Sequence, residues 1–196
     1  MKKTVIGREE RGPFQSSRRF GRRGPPALVR RRPLVRHHIL VSCEGRVLIA
    51  AMGAGGIAAR KREGDGATPR ARLQPTALLG KGPATGPLPF RRLRADDGWC
   101  DDVKSARYNA PVRLPFGAGH ERLMRDDGIY DFILLTDHNR CPRVRGAGSA
   151  IFIHVARQAM TPTLGCLAFA RAAWRHHIVP MGDYLVGVDP RPRRKR

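Results

Sequence analysis

A mostly β single domain is what this sequence predicts, and three observations predict it. Short apolar runs recur along the chain, Gly- and Pro-rich turns separate them, and a helical pattern occurs once, over residues 168–178. At 196 residues the chain has the length of one domain with an extension, and its 41% hydrophobic residues suffice for a core.

The elements follow in order. Residues 1–36 are rich in Arg, Gly, Pro and Ser without apolar periodicity, which predicts a disordered basic extension. From His38 the character changes: Ile39–Cys43 and Arg46–Met52 flank Glu44-Gly45 and read as a hairpin. Gly53–Gly56 is a flexible turn, lacking the following helix and acid that a dinucleotide loop requires. Lys61–Pro69 reads as a loop with solvated charges, and 74–95 as irregular. Asp96–Asp102 clusters carboxylates of the kind hard cations favour, but without EF-hand spacing, so the acids are expected to face solvent. Ile129–Thr136 predicts a buried strand, closed by the polar turn Asp137-His138-Asn139, where His138 makes local hydrogen bonds. Ser149–Val155 predicts a second buried strand. Ala168–Ile178, with Trp174 and Ile178 four apart, predicts one amphipathic helix. Tyr184–Val188 predicts a closing strand before a basic tail at 190–196, and there are no internal repeats.

The charge is unusual. Lys and Arg number 38 against 16 Asp and Glu, a formal net charge of +22. Residues 1–36 alone hold twelve Lys/Arg against two Glu. Such a surplus attracts polyanions: nucleic acid, anionic lipid or anionic wall polymers. No helix-turn-helix pattern, zinc-finger spacing or aromatic RNA-binding signature accompanies it, and aromatics make up only 6%, which argues against specific nucleic-acid binding and for solvated arginine. No run approaches the 18 apolar residues of a membrane span, and the extension has a positive start but no apolar run of a secretory leader. The four cysteines, Cys43, Cys100, Cys141 and Cys166, permit one bridge that sequence does not choose. His138 and Cys141, taken with Cys100 and His120, match no common zinc spacing, so no metal is expected.

The chemistry concentrates at residues 150–167. A buried strand ends in His154, and after a short loop a turn presents Cys166 behind Gly165. A thiol becomes a good nucleophile when an imidazole or dipole favours its thiolate. Gly165 permits a sharp turn, so the backbone N–H groups of Gly165 and Cys166 are the candidates to face a developing oxyanion. Twelve positions separate His154 from Cys166, enough chain to bring imidazole and thiol within hydrogen-bonding reach. Read as plain sequence, the same residues also suit a small buried cysteine and a core histidine.

The segment Gly148–Cys166 (GSAIFIHVARQAMTPTLGC) resembles the active-site segment of the L,D-transpeptidase (YkuD-type) catalytic domain, in a compact branch with a short His-to-Cys spacing. The stretches 59–69 and 96–139 agree with that branch, so the resemblance runs from about Ile39 to Val188. It implies a β-sandwich-like catalytic domain over 37–189, with Cys166 at the floor of a cleft and one main helix after the nucleophile. It implies peptidoglycan L,D-transpeptidase activity without a cofactor. Cys166 attacks a stem-tetrapeptide carbonyl, D-alanine leaves with a proton from His154, and an amine of a second stem resolves the thioester. The Val155 carbonyl would orient the imidazole, and Arg157 and Thr163 would bind substrate. A Thr-Pro-x-Gly turn lines the cleft in the family; here Ala71 replaces its last glycine. Leu164 stands where a polar residue is common. The resemblance further implies peptidoglycan stem peptides as partners, a monomer, and a location in the cell envelope or periplasm, at odds with the lack of a visible leader. Two alternatives stay open: an L,D-carboxypeptidase with water as acceptor, and a non-catalytic basic module that binds polyanions.

Overall fold

The structure, a computed structural model, describes residues 24–82, 86–179 and 181–188. Fifteen strands occur among them: β1 (Ala27–Arg31), β2 (His38–Cys43), β3 (Arg46–Ala51), β4 (Ile57–Ala58), β5 (Thr68–Pro69), β6 (Arg72–Leu73), β7 (Pro75–Gly80), β8 (Phe90–Arg92), β9 (Asp97–Cys100), β10 (Ala110–Arg113), β11 (His120–Arg122), β12 (Phe132–Thr136), β13 (Phe152–Val155), β14 (Leu167–Phe169) and β15 (Tyr184–Val186). Ten of these form one large curled sheet, in the order β6-β15-β1-β2-β3-β14-β13-β12-β7-β8. A three-stranded sheet, β10-β9-β11, and the two-stranded β4-β5 complete the described architecture. The molecule is mostly β.

The β2–β3 hairpin forms at Glu44-Gly45, both at positive φ (47° and 74°), the geometry a tight two-residue turn demands. Strand β13 is buried on both faces. Ile153 and Val155 join the larger apolar cluster with Leu167, Phe169, Trp174 and Tyr184. Phe152 joins the other, with Trp99, Leu123, Tyr130, Leu135 and Cys166. A central strand covered on both sides reads as a continuous apolar run, which explains why Ile151–Val155 shows no alternation. The small sheet provides the second cover: the Trp99 indole of β9 stands edge-on to the Phe152 ring, centroids 5.0 Å apart.

Four expectations are corrected. The basic extension does not reach residue 36: β1 lies inside the large sheet, between β15 and β2, with Ala27 and Val29 buried. Residues 1–23 of that stretch and the tail 190–196 lie outside the described residues. The span 74–95 is not irregular, since β7 pairs with β12 along its whole length and β8 lies beside it. The single helix over 168–178 is replaced by β14, a 3-10 turn (Arg171–Ala173) and a π turn (Trp174–Ile178). Leu167–Phe169 is claimed by ladders on both sides, to β13 and to β3, and the ring of Trp174 stacks on Phe132 at 5.7 Å. Finally, the acids of 96–102 do not all face solvent. Asp97 is buried and accepts from Arg91, Arg113 and the Arg94 N–H, so it anchors the start of β9.

Candidate active site

β13 and β14 run parallel, with His154 in register with Ala168. Cys166 lies two residues before Ala168, which directs its side chain to the face of β13 that carries Phe152 and His154. Both candidate residues are buried. The Cys166 thiol donates to the Ala150 carbonyl (3.2 Å) and accepts from the Phe152 N–H (3.4 Å). Ala150 supplies that carbonyl from a left-handed backbone (φ 49°), a conformation that costs a non-glycine residue about 1–3 kcal/mol and persists where the surroundings enforce it. Asn109 is part of that enforcement: its Oδ1 accepts from the Ala150 N–H (3.1 Å) and from Trp99 Nε1 (3.0 Å).

The turn before Cys166 is fixed by Thr163 and Gly165. Thr163 Oγ1 donates to the Cys166 carbonyl (2.7 Å) and accepts from the Gly165 N–H (3.1 Å). Both hydroxyl functions are therefore engaged within the turn before Cys166. The Gly165 N–H is engaged by the same hydroxyl. Gly165 sits at φ 138°, and a Cβ there would lie 2.8 Å from the Ala67 carbonyl oxygen and 2.9 Å from Ile151 Cδ1, so glycine is required. Ala67 precedes Thr68-Pro69, which places that loop against the turn before Cys166. Thr68 Oγ1 accepts from the Gly53 N–H (2.9 Å), and Ala71 needs no left-handed φ.

His154 Nδ1 lies 2.9 Å from the Val155 carbonyl. A carbonyl only accepts, so Nδ1 carries the proton and Nε2 is the basic nitrogen. Burial drives the imidazole down to about 4, with the Val155 bond opposing and the Arg157, Asp127 and Arg125 charges contributing. Burial pushes the Cys166 thiol up to about 12, and the Glu121 charge adds to it, while the Phe152 N–H and Lys61 work the other way. At neutral pH the resting pair is thiol and imidazole, not thiolate and imidazolium.

Arg157 is exposed, 3.9 Å from Asp127, which also accepts a forked bond from Arg125 (2.7 Å at its shortest). Both arginines and Asp127 bear on the charge of His154. Tyr130 and Glu121 escape a reading of the sequence alone. The Tyr130 ring meets His154 edge-to-face at 5.3 Å, and its hydroxyl donates to Glu121 Oε1 at 2.7 Å. The phenol is hidden within the strand-like run Ile129–Thr136 and the acid within a polar stretch, and no motif or spacing marks either.

Elsewhere, all four cysteines are free thiols, and Cys100 is buried while Cys141 is exposed. Among the described residues no group of three or more His, Cys, Asp or Glu gathers as a metal site, and no helix is long and apolar enough to cross a membrane. Two cavities, of about 250 Å³ beside Cys43, Arg46 and His177 and about 390 Å³ beside Lys81, Asp131 and Arg171, are not lined by His154 or Cys166. No family model matches the chain, and neither a curated protein nor a solved structure is similar to it.

Proposed function

We propose that this protein is a cysteine-dependent acyltransferase, an L,D-transpeptidase acting on peptidoglycan stem peptides with the β-sandwich-like fold of that family. The observation that carries the reading is a thiol and an imidazole on one face of β13, the imidazole held through Nδ1 by the Val155 carbonyl so that Nε2 is the basic nitrogen, and the thiol bonded to the Ala150 carbonyl. Because both groups rest neutral, the chemistry runs by general-base transfer. His154 Nε2 takes the thiol proton as Sγ bonds to the carbonyl carbon of the third stem residue. The Cys166 N–H faces the oxyanion, a contact of a kind worth about 2.7–4 kcal/mol per donor. The C–N bond to D-alanine breaks, and the imidazolium proton leaves with its amine. An amine of a second stem then attacks the thioester, the C–S bond breaks, and its proton returns through His154 to sulfur. Arg157, exposed and near His154, suits the terminal carboxylate of the donor peptide. A water acceptor would make the same site an L,D-carboxypeptidase.

The test is release of D-alanine from a disaccharide tetrapeptide. Wild type is expected to release it, Cys166→Ala to release none, and His154→Ala to slow release by ~10²–10⁴-fold. Turnover by Cys166→Ala, or a loss below tenfold in His154→Ala, refutes the assignment.

A further inference from the structure

The approach to β13 is held by side chains at almost every residue. His138 Nε2 donates to the Ala147 carbonyl (3.2 Å), Asn139 Nδ2 to the Gly148 carbonyl (2.8 Å), and Thr136 Oγ1 to the Ile151 carbonyl. Ala150 is held by Asn109, whose side chain is buried and has every hydrogen-bonding function engaged. Its Oδ1 accepts from the Ala150 N–H (3.1 Å) and from Trp99 Nε1 (3.0 Å), and its Nδ2 donates to the His138 (3.0 Å) and Asn139 (2.8 Å) carbonyls. A carboxamide offers two donors and two acceptor lone pairs, so these four bonds leave none spare. Three segments distant in sequence thus meet on one side chain: β9, the turn after β12, and the approach to β13. Asn109 itself sits at φ 53°, in the left-handed region that asparagine tolerates better than most residues.

We propose that Asn109 is a positioning residue of this site: through the Ala150 N–H it fixes the left-handed turn whose carbonyl holds the Cys166 thiol in place. This deepens the transferase reading and rests on it. Ala150 stands at φ 49°, and its carbonyl accepts the thiol at 3.2 Å, while the Phe152 N–H, two residues on, donates to the sulfur at 3.4 Å. The backbone of 150–152 therefore sets where the sulfur sits, and an alanine keeps a left-handed backbone only where its surroundings enforce it. Asn109 does not bond to the sulfur; it acts through the peptide that does. The residue type suits the task. A carboxylate would set acceptor against acceptor at the His138 and Asn139 carbonyls, and a hydroxyl has too few functions to hold four partners. A sulfur placed before substrate arrives attacks without rearrangement, and a misplacement of about 1 Å costs on the order of 10²-fold in rate.

The experiment measures kcat and KM for D-alanine release from a disaccharide tetrapeptide by wild type, by Asn109→Gly, and by the double variant Asn109→Gly/Ala150→Gly. Glycine at 109 keeps the left-handed backbone and removes the carboxamide. Its kcat is expected to fall ~10²-fold with KM unchanged, since the sulfur is displaced and the peptide-binding surface is not. Glycine at 150 adopts the left-handed turn without strain, so the double variant is expected to regain about tenfold in kcat over the single one. A folded Asn109→Gly whose kcat stays within about threefold of wild type, or a double variant no faster than the single, overturns the proposal. If Asn109→Gly does not fold, hydrogen exchange at the Ala150 amide of wild type decides the matter: protection like that of the β13 amides is expected, and exchange as fast as in an exposed loop overturns the proposal. A wild type that releases no D-alanine removes the transferase reading and the positioning role with it. A wild type that releases it beside an unaffected Asn109→Gly removes the positioning role alone.

Discussion

At the scale of single residues, the site is held in a neutral state by burial. His154 titrates near 6.5 when unfolded but is driven down to about 4 by burial in the fold. The unfolded chain therefore binds a proton that the folded chain refuses, and the sign is fixed: stability is fully present above pH 6.5 and falls as pH drops toward 4. The loss is about 3 kcal/mol for this one group. His154→Gln is expected to flatten that limb, seen as a smaller fall in Tm between pH 6.5 and 4.5 than in wild type. An equal fall in both proteins would place the acid sensitivity elsewhere. Cys166 runs the opposite way. Raised from 9 to about 12, it contributes stability that is intact below pH 9 and is lost as pH rises toward 12. Together the two groups define a neutral window in which thiol and imidazole coexist without charge, and in which a proton must move for sulfur to attack.

At the scale of elements, the position of β1 matters most. It is sandwiched between β15, to which it runs parallel, and β2, to which it runs antiparallel. Burying a valine such as Val29 contributes about 1.5–3 kcal/mol, and losing the strand exposes two edges at once, against a total stability of typically about 5–15 kcal/mol. A chain beginning at residue 37 is therefore expected to lose its cooperative thermal transition; a sharp transition retained at the full-length Tm would contradict this placement of β1. The elements legible in sequence are those whose signal is local. Glu44-Gly45 announces its hairpin, and Ile129–Thr136 and Ser149–Val155 announce their strands by unbroken apolar runs. β7 is masked because Pro75 and Gly80 bracket it and read as breakers, although proline is tolerated at a strand's first residue. β14 is masked because three residues carry no period, and because its partners, β3 and β13, are supplied by distant sequence. The same holds for the site. Cys166 and His154 are singled out in sequence by the resemblance that Gly148–Cys166 carries, whereas Glu121 and Tyr130 come together only when the small sheet folds over β13.

At the scale of the whole molecule, the chain carries a formal charge of +22, while His154 and Cys166 are buried and neutral. Much of the acid that the chain does possess is spent internally: Asp97 is clasped by Arg91 and Arg113, Asp131 by Lys81 and Arg171, and Asp127 by Arg125. The unmatched basic surplus suits a protein that meets an anionic polymer, and a basic surface alone would serve a binding module as well as an enzyme. What separates the two is whether Cys166 forms a covalent acyl bond. The most direct measurement is intact mass spectrometry of the folded protein after incubation with a carbapenem, an acylating mimic of the donor peptide, with Cys166→Ala alongside. A single adduct of one carbapenem, absent from Cys166→Ala, is the result the acyltransferase account predicts. A folded wild-type protein that acquires no adduct would contradict it and leave a basic module that binds polyanions without covalent chemistry.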